Sequence, residues 1–140
     1  MKDYKKKFST HKGRRGSGGS FAALPHEYFQ SPQYARLSPR AVKLLIDVYC
    51  QYRGNNNGDL TATWSLMRPR GWTSKSQLQK ALDELEQSGW LLRTRQGTIN
   101  MPSLYAVTFR GIDPCEGKLD AGIKPHPTPL HLWRRPDYVW

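Results

Sequence analysis

Between Ser74 and Trp90 the chain reads SKSQLQKALDELEQSGW, and the spacing of its aliphatic residues points to one kind of element. Leu78, Ala81, Leu82 and Leu85 stand at i, i+3, i+4 and i+7, which gathers them into one stripe on a helix but scatters them over both faces of a strand. Both ends of that helix are marked. Ser74 and Gln77 fit the S-x-x-Q capping box, in which the serine hydroxyl and the glutamine side chain each satisfy an orphan backbone donor, and Ser88-Gly89 supplies the stop. A stripe of this kind is stable only when covered, so the rest of the chain has to bring a core to it.

The charged residues of the same helix run against its dipole. An acid near the N-terminus or a cation near the C-terminus stabilises a helix by about 0.3 to 1 kcal/mol, yet Lys75 and Lys80 precede Asp83, Glu84 and Glu86. The order implies that something outside the helix favours positive charge at its leading end. Duplex DNA meets that requirement, because a recognition helix enters the major groove N-terminus first. On the face opposite the stripe, Lys75, Ser76, Gln79 and Lys80 offer donors and acceptors suited to base edges and phosphate oxygens. The alternative is a polar face that does no more than meet solvent.

Around this helix the chain supplies further elements. Pro25 and Pro32 interrupt the apolar residues from Phe21 to Leu37, which predicts a lead-in of short turns packed onto the core. Ser38-Pro39 then opens a helix, with serine as cap, proline at the first helical position and Leu37 placed to staple against Val42. Its inward stripe is Ala41, Leu44, Leu45, Val48 and Tyr52, and Gly54-Asn55-Asn56-Asn57-Gly58 ends it. Asp59-Leu60-Thr61 reads as a short extended link, and Ala62 to Arg68 as a short helix ended by Pro69 and Gly71. After Gly89, Trp90 to Arg95 alternates with strand period, Gln96 to Pro102 forms a loop, and Ser103 to Phe109 returns as a second strand. The phase that buries Trp90, Leu92 and Thr94 turns Arg93 and Arg95 outward, either to hold a nucleic-acid backbone or to protect a strand edge. Arg68 and Arg70 in the turn, with Arg14 and Arg15 near the N-terminus, are placed to add phosphate contacts.

The order helix, short helix, turn, helix, hairpin resembles a winged helix-turn-helix domain over residues 38–110. The segment SKSQLQKALDELEQSGWL is similar to the S-R-x-T-V-x-x-A-L-x-x-L-x-x-x-G-hydrophobic pattern of GntR-type and related regulators of bacteria, phages and mobile elements, with Ser74, Lys75, Leu78, Ala81, Leu82, Leu85 and Gly89 in matching places. That resemblance implies a DNA-binding mode in which Lys75 stands at the basic contact and Ser76 and Gln77 fall beside it. Trp64 and Trp72 depart from the pattern by their bulk, and a ligand-sensing module of the GntR type is not expected in residues 113–140. The expected fold class is mainly α with a small β-hairpin wing (α+β).

Charge agrees with a polyanionic partner. Of the formal +11, residues 1–20 hold seven Lys or Arg against one Asp, residues 21–112 eleven against six, and residues 113–140 four of each, a balance suited to nucleic acid. An anionic membrane is the weaker rival, because no run of about 18 apolar residues exists and the basic N-terminus lacks the apolar stretch of a signal peptide. The expected location is the cytoplasm, on the nucleoid. Three segments follow from composition: a basic, Gly/Ser-terminated arm over 1–20 expected to be disordered in isolation, a winged-helix domain over 21–112, and a Pro-rich aromatic tail over 113–140. Ile123, Leu130, Leu132, Trp133, Tyr138, Val139 and Trp140 make the tail too apolar to be idle. Either it lies back across the domain, or it docks into another protein or a second copy.

Catalysis has no foothold in the motifs. There is no G-x-x-x-x-G-K-[ST] loop, G-x-S-x-G elbow or H-E-x-x-H, so no enzyme is expected. His11, His26, His126 and His131 show no metal-ligand spacing with one another or with Cys50 and Cys115, so neither metal nor cofactor is expected. The two cysteines are too isolated for a disulfide framework, and Cys50, among apolar neighbours, is expected to be a small buried hydrophobe. The sequence therefore predicts site-specific double-stranded DNA binding by a transcriptional regulator, with a homodimer implying a palindromic site. A phage or plasmid replication-initiation accessory shares the same chemistry. An adaptor or inhibitor using the scaffold as a protein platform is the rival of another class, and RNA binding through the arm and exposed aromatics is a third.

Overall fold

The computed structural model describes residues 20–135. Two one-turn helices, α1 (His26–Phe29) and α2 (Pro32–Ala35), form the lead-in, with Pro25 capping the first and Pro32 opening the second. Helix α3 (Pro39–Tyr49) begins where the Ser38 hydroxyl accepts the Ala41 amide at 3.2 Å. Helix α4 (Trp64–Met67) tightens into a 3-10 turn, Arg68–Arg70, and Gly71 at φ +96° redirects the chain. Helix α5 (Lys75–Gln87) follows, and then β1 (Leu91–Arg95) and β2 (Leu104–Val107) pair as an antiparallel hairpin. The protein is α+β. Leu60 exchanges two backbone hydrogen bonds with Tyr105, at 2.8 and 3.2 Å, so the extended link adds a single bridge to the hairpin's open edge.

The core forms where α3 and α5 meet. Ala41, Leu44, Leu45 and Val48 of α3 and Leu78, Ala81, Leu82 and Leu85 of α5 are all buried, in one cluster with Leu60, Met67, Trp72, Trp90, Val107, Phe109 and Trp133. Fully burying one leucine is worth roughly 1.5 to 3 kcal/mol. Three on α5 outweigh the dipole mismatch of its charges, about 0.3 to 1 kcal/mol each, so packing sets this helix and its surface charge is left free for other work.

Three side chains differ from the sequence expectation, each for a geometric reason. Tyr49, not Tyr52, completes the buried arc of α3, because the lead-in covers that flank and the Tyr49 hydroxyl donates to the Ala23 carbonyl at 2.7 Å. Cys50 is exposed, since it follows the last turn of α3 about 200° round from Val48 on a 3.6-residue helix. In β1, Leu91 and Thr94 are buried and Leu92 only half-buried. Trp90 and Thr94 are buried as expected, but a bulge between Arg93 and Arg95 breaks the strict alternation and leaves Thr94 without a partner across the hairpin, and its hydroxyl donates instead to the Gly58 carbonyl at 2.6 Å.

Asn57, expected only as part of a helix stop, is a fully buried hub. Its amide donates to the carbonyls of Val107, Arg110 and Gly111 at 3.0, 3.3 and 2.8 Å, and its carbonyl oxygen accepts the Val107 amide at 2.9 Å. The described part of the tail, through residue 135, folds back. Ile112 and His126 exchange two backbone bonds at 2.9 Å, Leu132 and Trp133 are buried, and Trp133 stacks on Trp90 with ring centres 4.7 Å apart. Gly89, at φ +81°, makes that seat possible, because a Cβ there would lie 2.5 Å from the Leu132 carbonyl carbon. Tyr138, Val139 and Trp140 lie outside the described residues.

Candidate nucleic-acid interface

Helix α5 divides into flanks with different duties. Its buried stripe faces α3, and its outward face carries Ser76, Lys80, Asp83 and Gln87, bordered by Lys75 and Gln79, all exposed. The acids that set the charge order are engaged inside the domain. Glu84 takes the Ser38 amide at 2.8 Å and the Ser38 hydroxyl at 2.7 Å, a carboxylate placed at the positive end of α3. Glu86 forms an ion pair with Arg93 at 2.9 Å, and Asp83 accepts from the Gln79 amide at 2.8 Å. Part of the charge order seen in the sequence therefore has an internal cause. The lysines have none of comparable strength: Lys75 lies over the Trp64 ring at 5.8 Å, and Lys80 has no ion pair or hydrogen bond among the described residues.

The leading end of α5 is only half of the expected capping box. Ser74 Oγ accepts the Gln77 amide at 3.3 Å, but the Gln77 side chain turns to the neighbouring helix and accepts from Arg40. Gln77 is thus exposed yet tied to α3, on the flank away from Gln79. Arg40, missed in the sequence, adds an exposed cation beside Gln77 by this contact. Its signal was present only as a cation in the first turn of α3, against the dipole like Lys75.

Of the remaining arginines, Arg68 is exposed in the 3-10 turn, whereas Arg70 is committed to a buried carboxylate. Asp47 Oδ1 accepts Arg70 Nε at 2.9 Å, and its Oδ2 accepts Lys43 Nζ at 2.9 Å and Trp72 Nε1 at 2.8 Å. Burial alone would raise the Asp47 carboxyl, but the bonds from Lys43, Trp72 and Arg70 outweigh it and hold it below its ordinary value. This cluster ties α3 to the turn that enters α5, which gives bulky Trp72 a structural duty.

Arg93 and Arg95 also have internal partners. Arg93 donates to Glu86 and, at 2.8 Å, to Gln96, and lies over Tyr105 at 5.8 Å; Arg95 donates to the Pro102 carbonyl at 2.9 Å. Both are half-buried, and their Nε atoms are shielded without partners. The Glu86 contact raises the Arg93 pKa, so its charge is secure. The structure thus brings Lys75, Ser76, Gln79 and Lys80 together on one open face, leaves Gln77 exposed on the other flank and Arg68 exposed in the 3-10 turn, and engages Arg70, Arg93 and Arg95 within the domain. Arg14 and Arg15 lie outside the described residues.

Other chemistry finds little support in the described residues. No group of three or more His, Cys, Asp or Glu is placed to hold a metal, and no helix is long and apolar enough to cross a membrane. Burial pushes the Cys115 thiol up to about 11, which removes it as a nucleophile at neutral pH. No protein-family model matches the chain, and neither a curated protein nor a solved structure is significantly similar to it.

Proposed function

We propose that this protein is a winged-helix-like, site-specific binder of double-stranded DNA that regulates transcription by occupying its site. One observation carries the reading: Lys75, Ser76, Gln79 and Lys80 share an exposed face on a helix whose opposite side is locked into the core and whose glutamates are held by the domain itself. A rigid helix presenting cations and amides, whose outward carboxylate Asp83 is bonded to Gln79, is what insertion between two phosphate strands requires. The order α4, turn, α5, hairpin gives such a helix the setting of a helix-turn-helix. Replication support by a mobile element would use the same face.

A protein-adaptor role through the aromatic tail is less favoured, because Leu132 and Trp133 are buried against the tail's own domain. Genomic-fragment selection with purified protein at physiological salt tests the proposal. Enrichment of one duplex motif is expected, and Lys75→Ala or Gln79→Ala should each weaken binding to it by about 1 to 3 kcal/mol while leaving random DNA nearly unaffected. Recovery of no motif, with equal losses on random and selected DNA, would reduce the protein to a non-specific cation.

A further inference from the structure

The end of α3 and the extended chain before α1 enclose a cleft of about 610 Å³. Residues 20–23 form one wall, and Cys50, Tyr52, Arg53 and Gly54 form the other. The Tyr49 hydroxyl fixes the first wall by donating to the Ala23 carbonyl at 2.7 Å. Gly54, at φ +101°, turns the second wall away, and a Cβ there would meet nothing within 4 Å, so the mouth of the cleft is open. The volume falls in the range of about 300 to 1,000 Å³ typical of small-molecule sites.

The lining has a definite charge. Among the described residues it includes Arg53 and Arg110 and no acid. Arg110 Nε donates to the Tyr49 hydroxyl at 3.1 Å, and its guanidinium lies over the Tyr52 ring at 5.6 Å. Burial raises the Tyr49 pKa, so this hydroxyl stays neutral and orients Arg110 without cancelling its charge. Arg53 is exposed, and its side chain has no ion pair or hydrogen bond among the described residues. Guanidinium groups take carboxylate and phosphate through charge-assisted, often bidentate bonds. The same lining supplies aromatic surface, since Phe21 is 72% exposed and Tyr52 half-buried. A second hollow, of about 440 Å³, shares Tyr52 and Arg110 but adds the Asp113 carboxylate, which repels an anion. We infer that the larger cleft binds a small aromatic anion, a planar ring bearing one carboxylate or phosphate, with Arg53 and Arg110 holding the anionic group and Phe21 and Tyr52 flanking the ring. The site is independent of DNA binding by α5, because no described residue of α5 lines it.

Cys50 gives the test its reporter. It is exposed in the cleft wall, whereas Cys115, the other cysteine of the chain, is buried with its thiol pushed up to about 11. Alkylation of the full-length protein by iodoacetamide, an uncharged reagent, is followed with adenosine monophosphate, benzoate or inorganic phosphate at equal ionic strength. Adenosine monophosphate or benzoate at millimolar concentration should slow the alkylation of Cys50 in a saturable way, and whichever protects identifies the anionic group. Inorganic phosphate, which has the charge without the ring, should protect at least about tenfold less well. Arg53→Gln, at an exposed position, should raise the concentration for half-protection about tenfold, the loss expected with one charge-assisted hydrogen bond. An alkylation rate that neither aromatic anion changes would overturn the site. Equal protection by inorganic phosphate, or protection unaltered in Arg53→Gln, would reduce the effect to diffuse attraction by a basic surface and overturn it as well. Both of these results leave the reading of α5 standing.

Discussion

Asp47 is the residue whose removal tells most about how the interface is held. It is 6% exposed and accepts from Lys43, Arg70 and Trp72, so Asp47→Asn leaves two cations without their counter-charge beside the turn into α5. Because Lys43 and Arg70 remain nearly half exposed, the loss is expected at about 1 to 3 kcal/mol, below the cost of stranding a fully buried charge. Its pH dependence has a definite sign. The folded pKa lies below the ordinary 3.8, so the stabilisation is complete above that value and is lost as pH falls through the folded pKa. Thermal melts should show the native protein losing stability below about pH 4 more steeply than Asp47→Asn. A second test at this scale is Asn57→Ala, which leaves three carbonyls and one amide short of a partner in a fully buried site, for a loss of roughly 2 to 5 kcal/mol by chemical denaturation. Neither role could be read in the sequence, because Trp72 lies 25 residues from Asp47 and Val107 lies 50 from Asn57. Ser38 and Ser74 were legible as caps because each bonds an amide only three residues on.

At the scale of elements, what periodicity can specify was visible and what tertiary contact decides was not. The stripe of α5 and the start of α3 follow from local spacing, and the structure places both as expected. The strand phase held at Trp90 and Thr94 and failed at Leu91, which is buried where Leu92 was expected, while the burial of Thr94 is met by a Gly58 carbonyl 36 residues distant. The charge order of α5 was legible but only partly diagnostic, since Glu84 and Glu86 answer to Ser38 and Arg93 within the domain. For the tail, the alternatives of folding back or docking elsewhere depended on Gly89, whose lack of a side chain is the seat of Leu132. Gly89→Ala should therefore both strain a residue at φ +81° and push the strap away, lowering stability by at least about 1 to 2 kcal/mol. Trp133→Ala should cost about 3 to 5 kcal/mol through the cavity beside Trp90. If both variants melt like the native protein, the tail is not part of the core.

At the scale of the whole molecule, a well-packed α+β scaffold carries on α5 a cationic face that the scaffold does not need. Arg70, Arg93 and Arg95 serve the fold, so under the proposed function phosphate contacts would fall to Lys75, Lys80, Arg68 and Arg40 on the described surface, together with Arg14 and Arg15 of the sequence's basic N-terminal segment. The distinction is testable: Arg93→Ala should lower stability through the loss of the Glu86 pair, whereas Lys80→Ala should leave the melting temperature nearly unchanged and weaken DNA binding. The most direct measurement is the affinity for duplex DNA followed by fluorescence anisotropy as a function of salt, for the native protein and a Lys75→Ala/Lys80→Ala variant. With about five phosphates neutralised the log-log slope should lie near −4.5, and it should become shallower by nearly two in the variant at an unchanged melting temperature. A slope near zero, or one that the double substitution leaves unaltered, would contradict the assignment of this face to nucleic acid.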